Sequence, residues 1–224
     1  MTPKYAVKFD NLEFGWHSQI PILTIDDWAI ETGKRVFLQG SSGSGKSTLL
    51  NIIAGILPAP CGKVHVFGTQ LNTLKQYKRD RFRANHIGVI FQQFNLIPYL
   101  SVAENIQLGA QFADRHKRGT SPCINTLCDQ LQLDTALLHR QTTQLSIGQQ
   151  QRIAIARALY NQPQLIIADE PTSALDSDNR DQFIELLLKQ SQQSQATVLF
   201  VSHDKSLAHH FDDSVQIQDI NHAH

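Results

Sequence analysis

The chain has 224 residues, 41% of them hydrophobic and 18% charged, and its 20 Lys+Arg balance 20 Asp+Glu. These figures exclude a disordered, collagen-like or coiled-coil chain and fit one large domain, or a core with a smaller lobe. A formal net charge of +0 disfavours a dedicated nucleic-acid binder, which carries a basic excess. Cys61, Cys123 and Cys128 cannot all pair with one another and lack zinc-ligand spacing, so they read as reduced thiols. No apolar run approaches the ~18 residues of a membrane span, and MTPKYAVKFD lacks the apolar stretch of a secretory leader. The expectation is a soluble chain that stays in the compartment where it is made.

In chain order, Val7 and Phe9, Leu23 and Ile25, and Trp28 and Ile30 alternate as strands do. Arg35–Gln39 is a short strand that stops at a glycine-rich loop. Leu49, Leu50, Ile52 and Ile53 then fit a buried helix ending near Gly55, with Pro58 and Pro60 beyond it. Val64–Phe67, Ile87–Phe91, Leu165–Ala168 and Thr197–Val201 are further strands. The last three are nearly continuous apolar runs, as in a parallel sheet covered on both faces.

Between about Asn95 and Leu159 strand signals give way to helix signals. Ser101-x-x-Glu104 has the form of a capping box. Ile124, Leu127, Cys128 and Leu131 fall at helical spacing, which puts Cys123 and Cys128 on one helix face. Arg118–Pro122 is a polar break, and Lys75–Arg83 is a basic run best read as a solvated helix face. Lys189–Gln195 reads as the solvated turn from a helix into the next strand. His209, His210, His222 and His224 match no metal-ligand spacing.

Gly40–Ser47, GSSGSGKS, fits G-x-x-x-x-G-K-[ST] between a predicted strand and a predicted helix. Glycines let the backbone close around phosphates, while successive N–H groups and a helix N-terminus supply positive potential. In this reading Lys46 reaches the β and γ phosphates and the Ser47 hydroxyl holds Mg²⁺. Gly40, Ser41, Ser42, Gly43, Ser44, Gly45 and Thr48 complete the ATP-binding set. Leu165–Ala168 leads into Asp169 and Glu170 at a strand end, where open α/β sheets bind ligands. Asp169 would hold Mg²⁺ through water, and Glu170 would polarise the attacking water.

Leu145-Ser146-Ile147-Gly148-Gln149 is followed by QQRIAIARAL. With the phosphate loop and the acidic strand in this order, the chain resembles the nucleotide-binding domain of an ATP-binding-cassette (ABC) transporter, whose signature is LSGGQ. The resemblance runs nearly end to end. It implies an α/β phosphate-loop NTPase core with a mixed, mainly parallel sheet, an inserted helical subdomain and an N-terminal antiparallel β region. Residues 1–94 and 160–224 would form the core and 95–159 the helical subdomain.

It also implies roles position by position. Gln92 matches the Q-loop glutamine near Mg²⁺, with Gln93 a weaker candidate. Ser173, Ala174, Leu175 and Asp176 match the D-loop, and His203 matches the switch histidine at the γ-phosphate. Trp16 is the expected adenine-stacking ring, with Phe14 as the fallback. Ser146, Gly148 and Gln149 would meet ATP held by the partner in a head-to-tail homodimer. Two departures stand out. Ile147 occupies a position that is usually glycine and is expected to face away from the nucleotide. Val215–Ile220 reads as the closing strand, without the usual Asp-Gly turn.

The stretch from Arg83 to Ile106 resembles the branch serving lipoprotein release, macrolide-type export and cell-division complexes. The implied protein is an ATP hydrolase using ATP and Mg²⁺, driving a membrane permease, with no nucleic-acid partner. It would be cytoplasmic and peripheral on the inner face of the cell membrane. The competing readings are a soluble ABC ATPase acting on nucleic acid or ribosomes and an ATP-dependent scaffold with little turnover.

Overall fold

The computed structural model describes residues 3–16, 20–114, 123–173, 175 and 177–223. Strands β1 (Tyr5–Phe14), β2 (Leu23–Glu31), β4 (Cys61–Val66) and β5 (Thr69–Gln70) form an antiparallel sheet in the order β2-β1-β4-β5. The two short alternations at Leu23–Ile25 and Trp28–Ile30 are one strand, and Trp28 stacks on its cross-strand neighbour Phe9 with ring centroids 5.8 Å apart. A second sheet holds β6 (Ile87–Ile90), β7 (Leu165–Asp169), β8 (Thr197–Val201), β3 (Arg35–Gln39) and β9 (Asp213–Gln216), in that order. Every pairing in it is parallel, so the antiparallel strands keep to their own sheet.

The apolar runs follow from this layout. Alternate residues of the parallel strands feed opposite cores. Val36, Leu38, Leu165, Ile167, Leu199 and Val201 pack with α1 (Lys46–Ile53) and the antiparallel sheet. Phe37, Ile166, Ala168, Val198 and Phe200 pack against α5 (Ile147–Leu159) and α6 (Ser177–Gln193). A strand covered on both faces cannot alternate with polar residues.

Helices α2 (Gln76–His86), α3 (Val102–Gln107) and α4 (Ile124–Gln130), with short 3₁₀ turns, fill out the rest before α5. The Ser101–Glu104 capping box is formed in both directions. Among the described residues between Asn95 and Leu159 there is no strand, as the sequence implied.

Four expectations need correction or restriction. Helix α6 runs to Gln193, so Lys189–Gln193 is helix and only Ser194 and Gln195 turn. Gln and Lys are good helix formers, Ser191 Oγ donates back to the Leu188 carbonyl, and Gln190 and Ser191 are buried. The closing strand ends at Gln216, and Ile217–Ile220 is a one-turn helix, α7. That turn brings Asn221 back to β2, where it accepts from the Thr24 N–H and donates to the Ile22 carbonyl. Cys123 is the exposed N-cap of α4 whereas Cys128 is buried, because the helix starts one residue after Cys123; the two do not share a face. The break at 118–122 lies outside the described residues.

The basic run is only partly a solvated face. Arg79 donates to the carbonyls of Gly55 and Leu74, Arg83 pairs with Asp80 at 2.8 Å, and Arg81 pairs with Asp114. Lys75 and Lys78 remain exposed.

Candidate active site

In the order β6-β7-β8-β3, four neighbouring parallel strands end on one side of the sheet. Gln92 follows β6, Asp169 and Glu170 close β7, His203 follows β8, and the phosphate loop follows β3. Adjacent strand ends thus assemble residues that are more than a hundred positions apart. They line one cleft of about 720 Å³ with Trp16, Ile22, Ser42, Gly43, Gly45 and Thr48.

The loop's shape comes from its glycines. Gly43 and Gly45 have φ of +79° and +92°, left-handed values that L side chains resist. Gly45 is the N-cap of α1 and no side chain caps that end, so the first N–H groups of the helix face the cleft. Lys46 is buried, and its Nζ donates to the carbonyls of Gly40 and Ser41 at 2.8 Å each. Its ammonium therefore braces the loop from within the space that phosphates would enter.

Burial pushes the Asp169 carboxyl above its ordinary range. A hydrogen bond from Ser47 and the nearby Lys46 ammonium act against that, while the Glu170 charge adds to it. A carboxylate and a hydroxyl already joined across loop and strand form a hard-oxygen pair of the kind Mg²⁺ takes. Glu170 sits at φ +46°, a costly conformation for a non-glycine residue, and its Oε2 lies 2.9 Å from His203 Nδ1. His203 is largely exposed and Glu170 nearly covered, so the imidazole covers the carboxylate from the solvent side. Asp204 fixes the following turn by accepting from Arg180 at 2.5 Å and from the Ser206 N–H at 3.0 Å.

Sequence-level choices resolve here. Gln92 lines the cleft and Gln93 does not. Trp16 lines it at 61% exposure, while Phe14 is buried behind and meets it edge-on at 5.3 Å. Gly40, Ser41 and Ser44 stand behind the lining: Ser44 Oγ donates to the Ser41 carbonyl. Ile22 and the Arg180–Asp204 pair were missed. The signal for Ile22 was its place just before β2, opposite the end of β1 that carries Trp16.

The structure does not bring Ser146, Gly148 and Gln149 into this cleft. Ser146 is the N-cap of α5, accepting from the Gln149 N–H while the Gln149 side chain accepts from the Ser146 N–H. Ile147, first in the helix, is 58% exposed with no positive φ, so its backbone does not call for glycine. A Cβ on Gly148 would meet nothing within 4 Å, so nothing among the described residues requires a glycine there. Of the D-loop residues, Ser173 donates its N–H to the Glu170 carbonyl and Leu175 packs on the core; Ala174 and Asp176 lie outside the described residues.

A phosphate loop between β3 and α1, with acids closing a neighbouring strand, defines a phosphate-loop nucleotide-hydrolysing domain. The profile of the ABC transporter family matches residues 23–173. The chain is 41% identical over 187 residues to the uncharacterized ABC transporter ATP-binding protein MJ0796 of Methanocaldococcus jannaschii, covering 80% of this chain and 77% of that protein. It is 38% identical over 190 residues to the uncharacterized ABC transporter ATP-binding protein YbbA of Escherichia coli K12, covering 85% and 83%. Against the macrolide export ATP-binding/permease protein MacB of Rhodopirellula baltica it is 37% identical over 202 residues, covering 89% of this chain but 29% of MacB. The solved dimer of MJ0796 in a post-hydrolysis state with ADP and Pi superposes with a TM-score of 0.80 at 35% identity, covering 94% of this chain and 93% of that one. The chain belongs to the ABC transporter family, as its ATP-binding, ATP-hydrolysing subunit.

Proposed function

We propose that the chain binds ATP with Mg²⁺ at the strand-end cleft, closes head to tail on a second copy, and reopens after hydrolysis to drive a membrane permease. The observation that carries this reading is the separation of the two phosphate-contacting sets. The phosphate loop, Gln92, Asp169, Glu170 and His203 share one cleft, while Ser146 and Gly148 stand outside it at a helix N-terminus where, among the described residues, a Cβ on Gly148 would meet nothing within 4 Å. A helix N-terminus with an open glycine accepts an anion that arrives from outside. The MJ0796 structure, a dimer with ADP and Pi, supports the same arrangement here.

In this mechanism the N–H groups of Gly43–Ser47 and the Lys46 ammonium hold the triphosphate, and Trp16 stacks on the adenine. Asp169 and Ser47 would hold Mg²⁺, with Gln92 beside them, and the ion would supply charge stabilisation of the phosphate oxygens. Glu170 accepts a proton from the attacking water. His203 donates toward the γ-phosphate through Nε2, while Nδ1 keeps its 2.9 Å contact with Glu170 Oε2. Ser173 and Leu175, with Ala174 and Asp176, border the second copy. Residues 95–159 act as the helical subdomain that carries the signature.

A groove of about 510 Å³ opens one residue from Gln92, between the core and residues 108–112, and is lined by Ile56, Phe91, Leu108, Phe112 and Ala158. A permease segment seated there would sense closure of the cleft through Phe91 and Gln92. The likeness to MacB, whose name joins ATP-binding and permease functions in macrolide export, supports an export-type permease partner. The protein then works at the inner face of the cell membrane; no helix among the described residues is long and apolar enough to cross it. Action on nucleic acid is disfavoured by the formal net charge of +0, and pure scaffolding by the Glu170–His203 pair.

The test is Glu170→Gln, which keeps size and hydrogen bonding but removes the base. Light scattering should show a dimer with ATP and a monomer with ADP or no nucleotide. A monomer throughout, with ATP binding confirmed, would overturn the sandwich for the isolated chain. Normal turnover would remove the base from Glu170.

A further inference from the structure

We infer that the exposed first turn of α2, with Lys75, Tyr77 and Lys78, is a contact site for anionic phospholipid headgroups. Residues 75–83 hold five cations, Lys75, Lys78, Arg79, Arg81 and Arg83, against the single carboxylate of Asp80, an excess of four in a chain of formal net charge +0. The rest of the molecule is therefore net acidic, and this helix is a local positive site rather than part of a basic surface.

The cations are not equivalent. Arg83 and Arg81 are neutralised by Asp80 and Asp114, and Arg79 is committed to two backbone carbonyls. The ammonium groups of Lys75 and Lys78 have no carboxylate partner among the described residues, and both side chains are exposed. Beside them Tyr77 is 63% exposed. Helical spacing puts Tyr77 and Arg81 one turn apart on one side, with Lys78 a little over a quarter-turn on, beside Phe82, whose ring is partly buried against the core. An exposed tyrosine among lysines is the composition of a bilayer–water interface, where the ring sits at headgroup level and the ammonium groups meet phosphates.

The same helix walls the groove beside Gln92 through Asp80, Arg83 and Ala84, and the groove's rim carries the exposed apolar side chains of Ile56 and Phe112. The orientation rests on the proposed function: if a permease segment occupies the groove, this end of the molecule points at the membrane. Lys75, Tyr77 and Lys78 then reach the lipid around the permease. A nucleic-acid surface explains the lysines, and a tyrosine on which a base could stack, but not the apolar rim of Ile56 and Phe112 in a chain of formal net charge +0.

The full chain, without nucleotide, is sedimented with phosphatidylcholine vesicles and with vesicles that also contain phosphatidylglycerol, at low and high salt. Binding is expected only to the anionic vesicles and is weakened by salt. Lys75→Gln with Lys78→Gln should weaken it about thirtyfold, at roughly fivefold per lysine, and leave basal ATPase turnover unchanged. Tyr77→Ala should weaken it further without altering the salt dependence. Equal binding to both vesicle types, no binding to either, or anionic binding that survives the double substitution would each overturn the proposal. So would duplex DNA that binds more tightly than the anionic vesicles and is released by the same substitutions. Vesicle binding is read without nucleotide and Glu170→Gln dimerisation without lipid, so failure of this inference is distinguishable from failure of the proposed function.

Discussion

Replacing Lys46 by alanine separates the two tasks the structure gives that side chain. Its ammonium donates to the carbonyls of Gly40 and Ser41, and it is buried. Losing two charge-assisted hydrogen bonds to a loop that water can reach should cost about 1–2 kcal/mol. For a chain of this size that is a fall in Tm of roughly 2–8 °C, small enough to leave the protein folded. With ATP the expected difference is larger. At ATP one hundredfold above Kd, the unsubstituted chain gains about 2.7 kcal/mol, or roughly 5–11 °C. Removing the ammonium that faces the β and γ phosphates should cost at least ~2 kcal/mol of binding, so protection at the same ATP falls below ~1 kcal/mol. No other lysine or arginine lines the cleft among the described residues. The assay is a thermal melt with and without ATP, beside a phosphate-release measurement of turnover. Full ATP protection in Lys46→Ala, or unchanged turnover, would refute the assignment of this loop.

Gly148→Ala should raise Tm slightly, by up to ~1 kcal/mol of helix propensity, because an added methyl meets nothing within 4 Å. It should also lower turnover tenfold or more, by blocking the ATP that the second copy presents; turnover at the original rate would count against that approach. Ile147→Gly should change turnover less than threefold, about 0.7 kcal/mol, since Ile147 is exposed and its backbone has no glycine-only conformation. A tenfold gain would show that Ile147 restrains the sandwich. Asp212→Asn should lower Tm by the equivalent of about 1 kcal/mol at neutral pH, because it breaks a partly exposed pair with Arg35 at 2.5 Å that ties β3 to β9. Hydrogen bonding to Arg35 holds the Asp212 carboxyl below its ordinary 3.8, so its contribution is present above that value. It is lost as the pH falls through the lowered one, and the gap between variant and parent in melts should close on acidification. A gap that persists in acid would place the effect elsewhere.

Much of this molecule is legible residue by residue. Runs such as Leu165–Ala168 declare strands covered on both faces, and the two opposed cores explain why they contain no polar positions. The capping box at Ser101–Glu104 and the glycines around Lys46 are local devices, so their geometry follows from neighbours in sequence. Where reading by composition failed, a contact distant in sequence was responsible. Lys189–Gln193 looks like a linker, yet stays helical because the helix packs on the core and buries Gln190 and Ser191. Ile217–Ile220 looks like strand, yet turns because Asn221 is held by β2, almost two hundred residues away.

The sequence by itself determined the chemistry. A phosphate loop, an acidic strand end, a histidine after a strand and a signature before a helix each carry their meaning in a short segment. It ranked Gln92 above Gln93 and Trp16 above Phe14 only by resemblance and spacing, which say nothing of which side chain faces the cleft. Only the tertiary structure shows that Gln92 and Trp16 line the cleft, since facing it depends on how a strand end is twisted and what packs behind it. It also set Glu170 against His203 across 2.9 Å and left Ser146 and Gly148 outside the cleft their own chain builds. That last separation is a consequence of sheet order. The strand ends that gather the phosphate loop, Asp169 and His203 lie side by side, whereas α5 packs its apolar face against the other side of the sheet and leaves Ser146 and Gly148 outside the cleft, a separation no spacing along the chain shows.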